Sequence, residues 1–204
     1  MSRYDEDLIA PRTLTDPEVK ALLRVSSERR AGFRDHLILG LALSTALREH
    51  EIAGLNVGDV FDETGRVRVR VALRVFKRSN RNVREQQVIL SDAWRAKLAK
   101  FRSWKASHGE SVEPDAPLFV SRKGNRVSTR QLRRLVHVWQ ERAGADVTLN
   151  FHTLRHTAVT TYYRLTKDVR ATQRFSRHHS IRMVARYTHP SDEAQARNVQ
   201  LMPA

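Results

Sequence analysis

Two short clusters near the end of the chain carry the residue types that chemistry on a phosphate needs. The first is His152-Thr153-Leu154-Arg155-His156; the second is Arg177-His178-His179-Ser180, with Tyr187 nine residues after His178 in Ala185-Arg186-Tyr187-Thr188-His189. They read as parts of one helical-looking stretch from residue 150 to 189. Cleaving a phosphodiester builds negative charge on the equatorial oxygens, so fixed cationic donors aimed there stabilise the transition state more than the ground state. Arg155 fits that role because its planar fork meets a phosphate through two hydrogen bonds. A tyrosine divides one difficult displacement into two easier ones when a neighbouring base takes its proton. Tyr187 is the candidate nucleophile.

His152 and His156 also stand at i, i+4, a spacing that suits zinc. The helical zinc-hydrolase pattern needs a glutamate after the first histidine, where this chain has Thr153. His156 and His179 read as structural or phosphate-adjacent side chains, and no metal site is expected.

With its His-x-x-Arg (His152, Arg155) and a histidine nine residues before a tyrosine (His178, Tyr187), the sequence resembles the tyrosine recombinase (phage integrase) family. His-x-x-Arg alone is a weak signal; joined to the second spacing it is a strong one. The family's first box, an arginine with an acid three residues on, is matched by Arg48 and Glu51, with Ala46-Leu47-Arg48 in place of Gly-Leu-Arg. Read without the resemblance, that pair is an i, i+3 surface ion pair worth a few tenths of a kcal/mol. The family's catalytic lysine, on a small sheet after the first strand, is matched by Lys77, where Phe76-Lys77-Arg78 replaces Gly-Lys-Gly. Its Leu-Gly-His is Ser176-Arg177-His178 here, so an altered turn is expected before His178.

The resemblance implies the following chemistry. Tyr187 attacks a scissile phosphate in duplex DNA, forming a 3′-phosphotyrosyl link and freeing a 5′-hydroxyl. Arg48, Arg155 and His178 stabilise the transition state, with Glu51 orienting Arg48. His152 handles the tyrosine proton, and Lys77 protonates the leaving oxygen. The covalent link conserves bond energy, so neither metal nor nucleotide cofactor is implied. The family completes strand exchange as a tetramer on DNA, which implies a monomer or weak oligomer in solution and possible accessory recombination proteins. Three other readings stay open: a type IB topoisomerase, a catalytically silent DNA binder, and a basic structural RNA-binding protein.

The composition agrees with a polyanionic partner. In 204 residues, 37 Lys and Arg exceed 22 Asp and Glu by 15, and such a field favours nucleic acid. The chain is long enough to bury one sizeable core. Cysteine is absent, which removes disulfides and thiolate chemistry. No stretch approaches the ~18 apolar residues of a membrane span, and a cytoplasmic, nucleoid-associated location is expected.

The elements that must position these residues can be followed in order. Residues 1–12 read as a flexible lead-in, 13–189 as the catalytic domain, and 190–204 as a tail suited to docking on a neighbouring protomer. The domain that relatives carry before the catalytic one is missing, so the chain reads as a naturally short member or a fragment. Thr15 and Glu18 stand at capping-box spacing around Pro17, predicting a helix start. Gly32 to Leu47 is apolar enough for a helix buried on most faces and ends beside Arg48. Val67, Val69 and Val71 alternate with Arg66, Arg68 and Arg70, predicting a strand that pairs with Glu85 to Leu90. Ser91 caps a helix with Trp94, Leu98 and Phe101 inward, Leu118 to Val120 suggest an edge strand, and Ser128 caps a helix with Leu132, Leu135, Val136 and Trp139 inward. Arg78, Arg122, Lys123, Arg130, Arg133 and Arg134 are candidate DNA contacts. The expected fold is α+β, mainly α-helical, with a small antiparallel β-sheet.

Overall fold

A computed structural model of the chain describes residues 12–28, 32–73, 86–145, 149–187 and 199–200. Lys77 and Arg78 lie outside the described residues. Helix α1 (Asp16–Ser27) starts as its capping box requires: Thr15 Oγ1 accepts from Glu18 N, and Glu18 returns a carboxylate to Thr15 N. Helix α2 (Phe33–Thr45) buries Leu37, Ile38, Leu39, Leu41 and Ala42 almost completely. It is the central rod, as its uninterrupted apolar run predicts.

Two short helices, α3 (Glu49–Gly54) and α4 (Val57–Val60), lead to the sheet. Strands β1 (Arg70–Leu73) and β2 (Gln86–Ile89) pair antiparallel, with Val71 opposite Val88. The first strand is shorter than the valine alternation predicts. Val67 bridges to Phe61 instead, and Val69 is half exposed.

Helix α5 (Asp92–Ser107) buries Leu98 and Phe101, which stacks on Trp104 at 5.4 Å. Leu118 to Val120 form no strand, a correction to the sequence reading. Val120 makes an isolated bridge to Arg126, and Leu118 N donates to Leu55 O, so the segment's backbone is satisfied one contact at a time. Helix α6 (Thr129–Arg142) turns its four predicted apolar residues inward from a Ser128 cap.

The C-terminal stretch is three helices rather than one: α7 (Phe151–Thr166), α8 (Val169–Ser176) and α9 (Arg182–Ala185). Left-handed residues at Lys167 and Arg177 separate them. Helix α7 packs along α2, α8 folds back on α7, and α9 lies against α8. A small second core of Ala46, Ala158, Val159, Val184 and Tyr187 fills the space enclosed by these segments.

Gly40 marks the tightest approach to the central rod. A Cβ there would lie 1.7 Å from Cη2 of Trp94. Alanine would gain up to about 1 kcal/mol of helix propensity, yet overpacking typically costs about 1–3 kcal/mol. Gly40→Ala is therefore expected to lower the denaturation midpoint in urea, and a rise would show that the Trp94 ring yields freely.

Candidate active site

The centre is built at the C-terminal end of α2. Ala46 takes a left-handed conformation (φ 51°), turning the chain so that Arg48 begins α3. A non-glycine residue pays roughly 1–2 kcal/mol for that turn. The turn aims the carbonyls of Thr45 and Ala46 inward.

Arg48 is held at both ends by one carboxylate. Its backbone N donates to Glu51 Oε2 at 2.6 Å, and its Nη1 donates to Glu51 Oε1 at 2.8 Å. Glu51 is only 5% exposed and also receives Arg177 Nη2 on Oε2 at 2.9 Å. The pair is thus not a surface ion pair. Burial alone raises the Glu51 carboxyl, but Arg177, the Arg48 backbone and the Arg48 guanidinium together hold it below its ordinary value.

Arg155 projects from α7 and is 2% exposed. Its Nη1 donates to the Ala46 carbonyl, and its Nη2 to the Ser176 carbonyl at 2.5 Å. These are the open ends of α2 and α8, where helices leave carbonyls without intrahelical partners. A guanidinium has five N–H donors, so the anchoring leaves others for a ligand. Burial, with Arg48 and Arg177 nearby, lowers Arg155 to about 9, still protonated at neutral pH. Arg48, His152 and Arg155 line one open cleft of about 450 Å³, together with Glu49, His50, Arg133, Asn150 and Phe151.

Tyr187 does not line that cleft; it is 7% exposed and packed in the second core. Its hydroxyl lies 2.5 Å from Nδ1 of His156. Burial raises the phenol, only partly offset by Arg155 and Arg186. His156 is pushed down to about 3, first by burial and then by the surrounding positive groups. A protonated phenol beside a neutral imidazole fixes the direction of the bond: Tyr187 donates and His156 Nδ1 accepts. The sequence reading gave this contact to His152 and set His156 aside. His152 instead lies in the cleft, its ring edge-to-face with His156 at 4.2 Å.

His178 joins the two halves. Its ring lies 6.0 Å from that of Tyr187 and nearly parallel to it. Arg155 Nη2 stands 3.5 Å from its Nε2, and Ser176 Oγ lies 2.8 Å from its Nδ1. Since arginine can only donate, Nε2 faces it as the acceptor and Nδ1–H points to the serine. Burial, followed by Arg155 and Arg48, brings His178 down to about 3.

The turn before His178 is left-handed, with Arg177 at φ 57°, although the residue there is not glycine. Arg177 and His156 are the two site residues that sequence reasoning missed. The signal for His156 was its i+4 step from His152; for Arg177 it was a long cation in a position suited to glycine. Among the described residues, no group of three or more His, Cys, Asp or Glu could hold a metal ion.

Of the candidate DNA contacts, Arg122, Lys123, Arg130 and Arg134 are exposed. Arg133 is exposed too, but its fork is engaged by Glu49, with Nε donating to Oε2 at 2.9 Å. Arg126, in the same basic turn as Arg122, is exposed too, but its Nη1 donates to the carbonyls of Ala53 and Leu55. No helix among the described residues is long and apolar enough to cross a membrane.

The depressed histidines set a stability window. Their unfolded values lie near 6.5 and their folded values at about 3, so between these limits the unfolded chain binds protons that the folded chain refuses. Stability is full above pH ~6.5 and falls as pH drops towards ~3. Urea midpoints measured from about pH 7 to pH 5 should fall, and His156→Gln and His178→Gln should each flatten the slope. An unchanged slope in both variants would place the proton uptake elsewhere.

Known proteins share this arrangement of elements. The Phage integrase family pattern matches residues 12–194. Tyrosine recombinase XerC of Vibrio atlanticus (strain LGP32) is 28% identical over 179 residues, covering 88% of this chain and 54% of the relative. XerC of Haemophilus influenzae (strain PittEE) is 29% identical over the same length, covering 88% of this chain and 57% of its own. The chain thus spans a little over half the length of these curated relatives. The crystal structure of XerA recombinase superposes with a TM-score of 0.75 at 25% identity, over 95% of this chain and 66% of that one. XerH recombinase bound to its difH substrate superposes with a TM-score of 0.74 at 19% identity, over 95% of this chain and 55% of that one. The fold is that of tyrosine recombinase catalytic domains, mainly helical with a small antiparallel sheet. With the pattern matched from α1 to beyond Tyr187, the chain belongs to the Phage integrase family.

Proposed function

We propose that the chain is the catalytic part of a site-specific DNA recombinase that cleaves and rejoins duplex DNA through a 3′-phosphotyrosyl intermediate. The observation that carries this reading is the Tyr187 hydroxyl hydrogen-bonded to a neutral imidazole, beside Arg155 and His178. Tyr187 Oη attacks phosphorus, and the bond to the 5′-oxygen breaks. His156 is the imidazole in contact with the phenolic proton and is the first acceptor. His152, on the cleft side with Arg48 and Arg155, faces the phosphate oxygens. The leaving 5′-oxygen takes its proton from Lys77. Rejoining is the reverse: a 5′-hydroxyl attacks phosphorus as Lys77 takes its proton, the bond to Tyr187 Oη breaks, and His156 returns a proton to Tyr187. No nucleotide or metal cofactor is called for, since phosphoester bond energy stays in the link.

The same reading assigns residues 13–189 to the catalytic domain and the last 15 residues to docking on a neighbouring copy. A tetramer on DNA, accessory recombination proteins and a cytoplasmic location follow from the resemblance to recombinases. The net charge of +15 supports a duplex DNA partner.

The test is an incubation with nicked random-sequence duplexes at low salt, followed by denaturing electrophoresis. A covalent protein–DNA adduct is expected for the wild type and none for Tyr187→Phe. Binding without any adduct would support a silent DNA binder instead, and preference for RNA would support the structural alternative. Duplex affinity should also fall steeply with salt, by roughly 0.9 log unit per log unit of salt for each phosphate neutralised. A flat titration would rule out phosphate contacts as the main source of binding.

A further inference from the structure

Arg177 plays no part in the chemistry proposed above, yet its cost to the fold is plain. It holds a left-handed conformation that favours glycine. Its side chain is 5% exposed, and it brings a further cation beside Arg48 and Arg155. Its Nε has no partner.

The guanidinium reaches both halves of the centre. Nη2 donates to Glu51 Oε2 at 2.9 Å and to the Ala46 carbonyl at 3.0 Å. Nη1 donates to the carbonyls of Thr45 at 3.2 Å and Phe175 at 3.3 Å. Glu51 Oε2 also takes the Arg48 backbone N–H, and Oε1 takes the Arg48 guanidinium. The Ala46 carbonyl is shared with Arg155. Arg177 does not line the cleft and so has no direct path to a phosphate there.

We infer that Arg177 is a positioning residue for strand cleavage: it fixes Arg48 through Glu51 and Arg155 through the Ala46 carbonyl. The inference rests on the phosphotyrosyl reading. The physical need comes from Glu51. A buried carboxylate bound by one cation instead of two is easier to protonate, and a protonated Glu51 gives up part of its hold on Arg48.

Arg177→Gly separates this role from a merely tolerated turn, because glycine adopts the left-handed conformation freely. If Arg177 only fills the turn, the glycine variant will match the wild type in cleavage. If Arg177 positions the arginines, adduct formation on a nicked duplex slows roughly 10- to 100-fold, the scale of a misplaced catalytic group. Duplex affinity should change much less than the rate, since most phosphate contacts would lie outside this cleft. The acid limb of the rate profile should move to higher pH as Glu51 titrates more easily, and Arg177→Lys should recover part of the rate by restoring the charge without the fork.

Crystal structures of Arg177→Gly and Arg177→Lys provide a readout that does not depend on activity. The inference expects the Arg48–Glu51 pair or the Arg155–Ala46 contact to be displaced in the glycine variant. Wild-type rates and pH profile, with both contacts in place, would overturn it. Failure of the wild type to form any adduct would overturn the phosphotyrosyl reading instead, and the crystallographic comparison would then judge the positioning claim alone. Should the glycine variant not fold, the lysine variant decides: native rate, pH profile and contacts overturn the claim, since lysine cannot reproduce the fork.

Discussion

The structure depends on keeping several guanidinium groups together where little water reaches them. Moving an ion out of water costs several kcal/mol unless close partners replace its hydration. Here the partners are few and fixed. Glu51 supplies the buried carboxylate, and the carbonyls at the ends of α2 and α8 supply the rest. Helix C-termini are suited to this because their last carbonyls lack partners and carry the negative end of the dipole. The left-handed residues Ala46 and Arg177 leave those carbonyls facing the arginines rather than solvent.

The same crowding of positive charge explains the state of the histidines. His152, His156 and His178 all sit below their ordinary values with burial as the leading cause; Arg155 and Arg48 come next for His152 and His178, and His152 and Arg186 for His156. Each is therefore uncharged at neutral pH and offers a lone pair that can accept a hydrogen bond. A cationic imidazole in these positions could not accept the Tyr187 proton. The charge of Arg155 and Arg48 thus helps burial to keep His152 and His178 uncharged.

Much of this was legible in the sequence, for local reasons. Capping residues at Thr15, Ser91 and Ser128 mark helix starts through bonds spanning three residues, and all three do so in the structure. The apolar run of α2 and the inward face of α6 follow from periodicity. Arg48, Glu51, Arg155, His178 and Tyr187 were picked out by their match to the motifs of the resembled family, and the fold brings them together. What escaped was set by contacts between distant segments. Spacing on α7 cannot say which of His152 and His156 meets a tyrosine 31 positions beyond the latter. Leu118 to Val120 has the composition of a strand, but bridges and side chains satisfy its backbone without a sheet. The role of Arg177 depends on a carboxylate 126 residues away.

Arg155 closes the ends of two helices while it faces the cleft. Residues serving chemistry are commonly a burden on the fold, so that replacing them yields a more stable and inactive protein. Here the relation is reversed, because removing Arg155 would strand the carbonyl of Ser176 in the interior and leave that of Ala46 to Arg177 alone. A chain that lost this arginine by mutation would lose structure along with reactivity. Selection for mere persistence of the fold therefore also keeps in place the arginine that lines the cleft.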